Sequence, residues 1–131
     1  VTESGYLLDS HGLLWWWFEP DRLSPAVLAI LSNPNARVLV STASAWELSL
    51  KHHQGKLPEL SSAISAFPSL LQADGFEPLP IALAHAIRAG SYTQPHRDPF
   101  DRMLAAQAEL EQLVLLSADP QLASLPCQIR W

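Results

Sequence analysis

The sequence predicts an α/β fold, a mostly parallel sheet of four to five strands flanked on both faces by helices. Three observations lead there. Short apolar runs, Tyr6-Leu7-Leu8, Val38-Leu39-Val40 and Leu113 to Leu116, lack the alternation of a half-exposed strand and read as strands buried on both faces. Amphipathic helical stretches separate them, the pattern of strands joined by helical crossovers. An acidic residue also follows each run at short range: Asp9, Glu47 and Asp119. The 131 residues suit one domain, residues 1–131, long enough to bury about two thirds of the unfolded surface.

The first strand is expected at Gly5 to Leu8 and a short helix at Gly12 to Trp17. Ser24-Pro25 supplies an N-cap and first helical position for Pro25 to Leu31, which Asn33-Pro34-Asn35 stops. Strand two spans Arg37 to Ser41, and a helix from Ala43 to His53 ends near Gly55. A helix between Ser61 and Ala73 should kink or split at Pro68 and stop at Gly75. Phe76 to Leu79 is a weaker strand, demoted by Pro78 and Pro80. Ala82 to Ala89 is helical with a stop at Gly90, and a polar loop runs to Arg97. Asp98 then caps the clearest helix, with Pro99 at its first position and Phe100, Met103, Leu104 and Ala108 on its apolar side. Strand four covers Leu113 to Ser117, a short helix Pro120 to Ser124, and a last strand Gln128 to Trp131.

A net charge of -5 argues against a protein that coats nucleic acid by diffuse attraction, although local basic clusters remain compatible with it. The single cysteine, Cys127, excludes an internal disulfide and a cysteine-built zinc cage and fits a reducing compartment. No apolar stretch approaches the roughly 20 residues of a membrane span, and the N-terminus lacks the pattern of a signal peptide. The expected location is therefore cytoplasmic.

Of the 13 acidic residues, eight, among them Glu3, Glu77 and Glu109, read as termini, turns or solvated helix faces. The other five are Asp9, Glu47, Asp98, Asp101 and Asp119. Each has a bland reading: Asp9 as a helix cap, Ser44-x-x-Glu47 as a capping box, Asp98-x-x-Asp101 as acids at a helix N-terminus, and Glu47 paired with Lys51 one turn on. Those readings explain poorly why the acids recur at strand ends amid apolar neighbours. Carboxylates beside apolar surface are costly unless paired or bound to a cation, and sites of open parallel sheets lie beyond the carboxyl ends of the strands. Four carboxylates from distant segments thus have a common address and suggest a metal site.

The segments Leu7-Leu8-Asp9-Ser10-His11-Gly12-Leu13-Leu14-Trp15-Trp16, Val40-Ser41-Thr42-Ala43-Ser44-Ala45-Trp46-Glu47-Leu48, His96-Arg97-Asp98-Pro99-Phe100-Asp101-Arg102-Met103-Leu104-Ala105-Ala106-Gln107-Ala108 and Leu116-Ser117-Ala118-Asp119 resemble the successive motifs of PIN-domain ribonucleases. They are similar in particular to VapC-type toxins of bacterial toxin-antitoxin pairs. The resemblance spans nearly the whole chain, in order and with fitting spacing. It implies a PIN-like three-layer sandwich, endonucleolytic hydrolysis of RNA, and an acidic centre of Asp9, Glu47, Asp101 and Asp119. Asp98 is a further candidate ligand that is also the natural N-cap. Where the family often carries threonine, this chain has Ser10 and Ser117, which keep the hydroxyl.

Two carboxylates about 4 Å apart repel by roughly 4 kcal/mol at an effective dielectric of 20, so four together call for a counter-ion. All-oxygen ligation suits Mg²⁺ or Mn²⁺. Asp9 and Asp101 are the expected direct ligands, with Glu47 and Asp119 completing the site. Ser10 and Ser117 could orient a ligand or water, their alternative being local turn and cap bonds. Lys51, Lys56, Arg97 and Arg102, together with His52, His53 or His96, are candidates for holding RNA phosphates, against a solvated or locally paired role.

Trp15, Trp16 and Trp17 sweep roughly 200° of a helix, more than a core stripe, so at least one should be partly exposed. They serve either helix packing or a partner groove. The resemblance supplies the partners: a VapB-like antitoxin lying across the groove, and a second copy in a homodimer. A non-catalytic PIN-like binding module, or a phosphoesterase acting on DNA or a small phosphate ester, is the alternative in function.

Overall fold

Tyr6–Leu8 forms β1, the middle strand of a five-stranded, wholly parallel sheet of order β3-β2-β1-β4-β5. The computed structural model describes residues 5–131, so Glu3 lies outside it. The other strands are β2 (Val38–Ser41), β3 (Glu77–Leu79), β4 (Val114–Leu116) and β5 (Gln128–Arg130). Register places Leu8 beside Val40 on one side and Leu116 on the other, which aligns the carboxyl ends of the three central strands. The edge strand β3 tolerates Pro78 because it pairs on one side only.

Among the described residues, seven α-helices cover the sheet: α1 (Ser10–Phe18), α2 (Pro25–Ser32), α3 (Thr42–His53), α4 (Ser61–Ser65), α5 (Phe67–Asp74), α6 (Leu83–Ser91) and α7 (Pro99–Glu111). Side chains alternate across each strand, and the two sets build two cores. Leu8, Val38, Val40, Val114 and Leu116 meet Leu13, Val27, Leu31, Leu48 and Phe67 from α1 to α5. Leu7, Leu39, Leu79 and Leu115 meet Ala89, Leu104, Ala105 and Ala108 from α6 and α7. The arrangement is the expected three-layer sandwich.

Several details differ from expectation. The segment after Ser61 breaks into α4 and α5 at Ala66 rather than at Pro68, because Pro68 falls in the first turn of α5, where a missing N–H costs nothing. α6 runs through Gly90 to Ser91, whose hydroxyl donates to the Arg88 carbonyl at 2.8 Å and ties the last turn. α3 starts at Ser41, whose Oγ accepts from the Ala43 N–H at 2.9 Å. Ser44 is therefore no cap; it lies buried inside the helix, and the Ser44-x-x-Glu47 box does not form. The stretch Pro120–Ser124 is a 3₁₀ helix capped by Asp119.

The three consecutive tryptophans are each half-buried against their own neighbour. Trp15 meets Trp131 edge-on at 5.6 Å, Trp16 lies 6.0 Å from Phe76, and Trp17 meets Phe67 at 5.2 Å while its indole N–H donates to Asp74 Oδ2 at 2.8 Å. Their wide sweep is thus used for helix packing. Among the described residues, no helix is long and apolar enough to cross a membrane.

Leu8 is fully buried and immediately precedes Asp9. Leu8→Ala should lower unfolding free energy by about 2–5 kcal/mol, the usual range for such a truncation, as read from urea denaturation.

Candidate active site

Strand order reverses between β1 and β4, since β2 and β3 lie on one side of β1 and β4 and β5 on the other. Such a switch point opens a crevice beyond the strand ends, and Asp9 and Asp119 flank it. Asp9 follows β1, and its N–H donates to the Leu116 carbonyl of β4 at 3.2 Å. Asp119 lies three residues beyond β4, its N–H bonded to Ser117 Oγ at 3.1 Å. Glu47 lies on the buried face of α3 with Ala43, Ser44 and Leu48. Asp101 occupies the first turn of α7, which packs against both β1 and α3.

Three of these acids serve as caps with one oxygen. Asp9 Oδ1 accepts from the Gly12 N–H at 2.7 Å, Asp119 Oδ1 from Gln121 at 2.9 Å, and Asp98 Oδ1 from Phe100 at 2.9 Å and Asp101 at 3.3 Å. The cap and site readings of Asp9 and Asp119 are therefore compatible, because a cap fixes the carboxylate and involves only one of its oxygens. Gly12 is required by the same geometry. A Cβ there would lie 2.6 Å from Leu8 Cδ1 and 2.9 Å from Asp9 Oδ1.

Electrostatics divide the acids into two neighbouring groups. Burial pushes the Asp9 carboxyl up, against the Ser117 hydroxyl and the Gly12 N–H that hold it down, with Glu47 adding repulsion. Burial pushes Asp101 up to about 6, opposed by its hydrogen bond from His96 and reinforced by Asp98 and Asp119. His96 Nε2 lies 3.0 Å from Asp101 Oδ2, and one donor atom each from His96, Asp101 and Asp119 gather within 4.8 Å of one another. Asp9 and Glu47 stand outside that tightest group. Carboxylates raised by burial and mutual repulsion, with an imidazole beside them, suit a hard divalent cation such as Mg²⁺ or Mn²⁺. No thiolate is at hand, since Cys127 lies by Glu109 near the opposite end of α7.

The auxiliary candidates fare differently. Ser10 Oγ donates to Ser44 Oγ at 3.0 Å and ties α1 to α3. Ser117 faces Asp9 and Asp119, as just described. Lys51 Nζ lies 2.9 Å from Glu47 Oε2, the i,i+4 pair anticipated as its local role. Arg97 is exposed next to His96. Arg102, a candidate phosphate ligand, instead directs four hydrogen bonds of 2.8–3.2 Å to the carbonyls of Ala89, Tyr92, Gln94 and His96. With four of its five guanidinium donors taken by backbone, it orders the loop before α7 rather than reaching for phosphate. His96 is the residue that the sequence underrated. It stood only among several phosphate candidates, and its single sequence signal was its place two residues before the Asp98 cap; its burial depends on the loop that Arg102 shapes.

A parallel α/β protein with a carboxylate cluster at the switch point is the class these features define. The model of the PIN domain family matches residues 6–126, and the chain belongs to that family. Over 57 residues it is 35% identical to the ribonuclease VapC16 of Mycobacterium tuberculosis, a stretch that covers 44% of this chain and only 40% of that relative. The fold is similar to VapBC2 from Rickettsia felis bound to a promoter DNA fragment (TM-score 0.72, 15% identity, 95% of this chain and 96% of that one). It is also similar to DNA-bound VapBC from Salmonella typhimurium (0.68, 18%, 96% of each) and to FitAcB from Neisseria gonorrhoeae (0.60, 22%, 95% of each).

Two outcomes follow. Because Asp101 is raised when folded, the native state binds its proton more tightly than the unfolded chain does, and its contribution to stability is full below about pH 4 and lost as pH rises through about 6. Without divalent cation, Asp101→Asn should melt higher than wild type at pH 8, with the gap closing as pH falls through 6 towards 4. Gly12→Ala should displace the Asp9 cap and cost about 1–2 kcal/mol in urea unfolding, despite alanine's better helix propensity.

Proposed function

We propose that the protein is a divalent-cation-dependent endoribonuclease acting as the toxin of a toxin-antitoxin pair. The observation that carries this reading is the pair of acidic groups by the switch point, Asp9 facing Glu47 and Asp101 facing Asp119, with Asp9 and Asp101 both raised by burial. Asp9 and Asp101 hold a Mg²⁺ or Mn²⁺ ion, Glu47 and Asp119 complete its surroundings, and Asp98 serves the helix. When bound, such an ion makes water a better nucleophile and offsets charge on the scissile phosphate. Ser117 keeps Asp9 oriented, while Lys51, paired with Glu47, Lys56 in the same recess as Lys51 and exposed Arg97 attract the RNA backbone.

The relatives support the biological setting: one is a ribonuclease, and the similar solved structures include toxin-antitoxin complexes. The partners of this chain are accordingly an RNA substrate, a VapB-like antitoxin and a second copy of itself, in the cytoplasm. Its surface is suited to protein partners. Trp46, Leu83 and Ile87 are 61, 78 and 64% exposed, and Trp46 meets Phe100 edge-on at 4.7 Å. Trp46 and Phe100, with Ala43, Ile81 and Met103, help line an apolar recess of about 230 Å³. Exposed apolar surface of this kind marks association sites.

Purified protein should cleave RNA with Mg²⁺ or Mn²⁺ and stop in EDTA. Asp9→Asn should lower cleavage roughly 100-fold or more, the scale of losing a principal electrostatic element, with the circular dichroism of the fold retained. Undiminished cleavage by that variant would overturn the assignment, and folded protein that binds RNA without cleaving it under any divalent cation would favour a binding module.

A further inference from the structure

The loop joining α6 to α7 has little regular structure of its own, yet its backbone is fastened from one side chain. Arg102 Nε donates to the Ala89 carbonyl at 3.0 Å, Nη1 to Gln94 at 3.2 Å and His96 at 3.0 Å, and Nη2 to Tyr92 at 2.8 Å. Four of the five guanidinium N–H donors are thereby engaged. The last of the fastened carbonyls belongs to His96, whose side chain is only 4% exposed and whose Nε2 reaches Asp101 Oδ2 at 3.0 Å. Arg102 and Asp101 are adjacent on α7, so the contact leaves the helix, passes through the loop and returns to the same helical turn.

We propose that Arg102 and His96 form a positioning relay in which Arg102 fixes the loop and His96, through its Nε2–H to Oδ2 hydrogen bond, fixes the Asp101 carboxylate for cation binding. The inference rests on the cation-dependent reading of the site. Asp101 needs such a constraint, because the terminal torsion of an aspartate is broad and Asp98 and Asp119 both repel its charge. One N–H donor gives the carboxylate a direction and leaves its second oxygen outside that bond. Ligating carboxylates are commonly held by a hydrogen-bonding neighbour in this manner. Lysine cannot replace Arg102, since a single ammonium with three donors does not match four carbonyls spread over the last turns of α6 and the loop after it. Neither residue touches substrate; both act through Asp101.

The test compares Mn²⁺ affinity, measured by electron paramagnetic resonance at pH 8, with a readout that needs no metal. In cation-free wild type, the His96 Nε2–H should appear as a protected imidazole proton in histidine-labelled NMR spectra, and Arg102→Lys should remove it. His96→Ala should weaken Mn²⁺ binding by about 10–100-fold, and His96→Gln, which carries an amide N–H to a similar reach, should recover most of the loss. Arg102→Lys should weaken Mn²⁺ binding alone but add nothing on top of His96→Ala, the non-additivity expected of residues acting in series. The relay is overturned if the protected proton is absent, if His96→Ala binds Mn²⁺ like wild type, if glutamine recovers nothing, or if the two losses multiply. A wild type that shows the proton but binds no divalent cation overturns the proposed function instead, and with it the purpose assigned to the relay. Melting curves in EDTA separate either result from a variant that fails to fold.

Discussion

Parallelism is the constraint on which everything else in this protein depends. Every strand of the sheet runs the same way, so each connection must cross back over a face, and every chain segment leaving a strand does so at one edge. The helices needed for those crossings bury both faces, which is why the central strands are almost wholly apolar. The same requirement delivers residues far apart in sequence to a single rim. Asp9 and Asp119 are separated by most of the chain but follow neighbouring strands. Glu47 faces Asp9 and Asp101 faces Asp119, on helices α3 and α7 that pack against each other.

The carboxylates at that rim are held by ordinary local interactions turned to another end. Helix and 3₁₀ starts fix Asp9, Asp98 and Asp119 through one oxygen each, and the missing side chain of Gly12 makes room for the first of them. Burial raises the energy of the ionised Asp9 and Asp101, and the cap bond to Asp9 offsets part of that rise. Local caps thus stabilise the termini of elements while keeping acids at close range, and the folding and chemical roles of these residues draw on the same bonds.

Much of this was legible in the sequence because its signals are local. The buried strands announce themselves as unbroken apolar runs, and Ser24-Pro25 and Asp98-Pro99 mark helix starts that the structure contains. The acids were legible because a charge at the end of an apolar run is out of place. What sequence could not show were properties created by tertiary contact. Ser44 looked like a cap but bonds Ser10 across 34 positions, and its supposed partner Glu47 lies on a buried helix face. Arg102 looked like a phosphate ligand because three of its four carbonyl partners belong to a loop whose path has no periodic signal, the fourth lying in α6. His96 gained its contact with Asp101 only once that loop was shaped, and the tryptophans found separate neighbours in three distant segments.

Pro78 stands at the centre of β3, the outermost strand on its side of the sheet. That position has no N–H to offer a sixth strand, so this border cannot act as a template for extending the ladder. Growth of the sheet from chain to chain is therefore blocked at this edge by covalent structure alone. Association through this flank of the molecule draws on side-chain surfaces rather than on added strand hydrogen bonds.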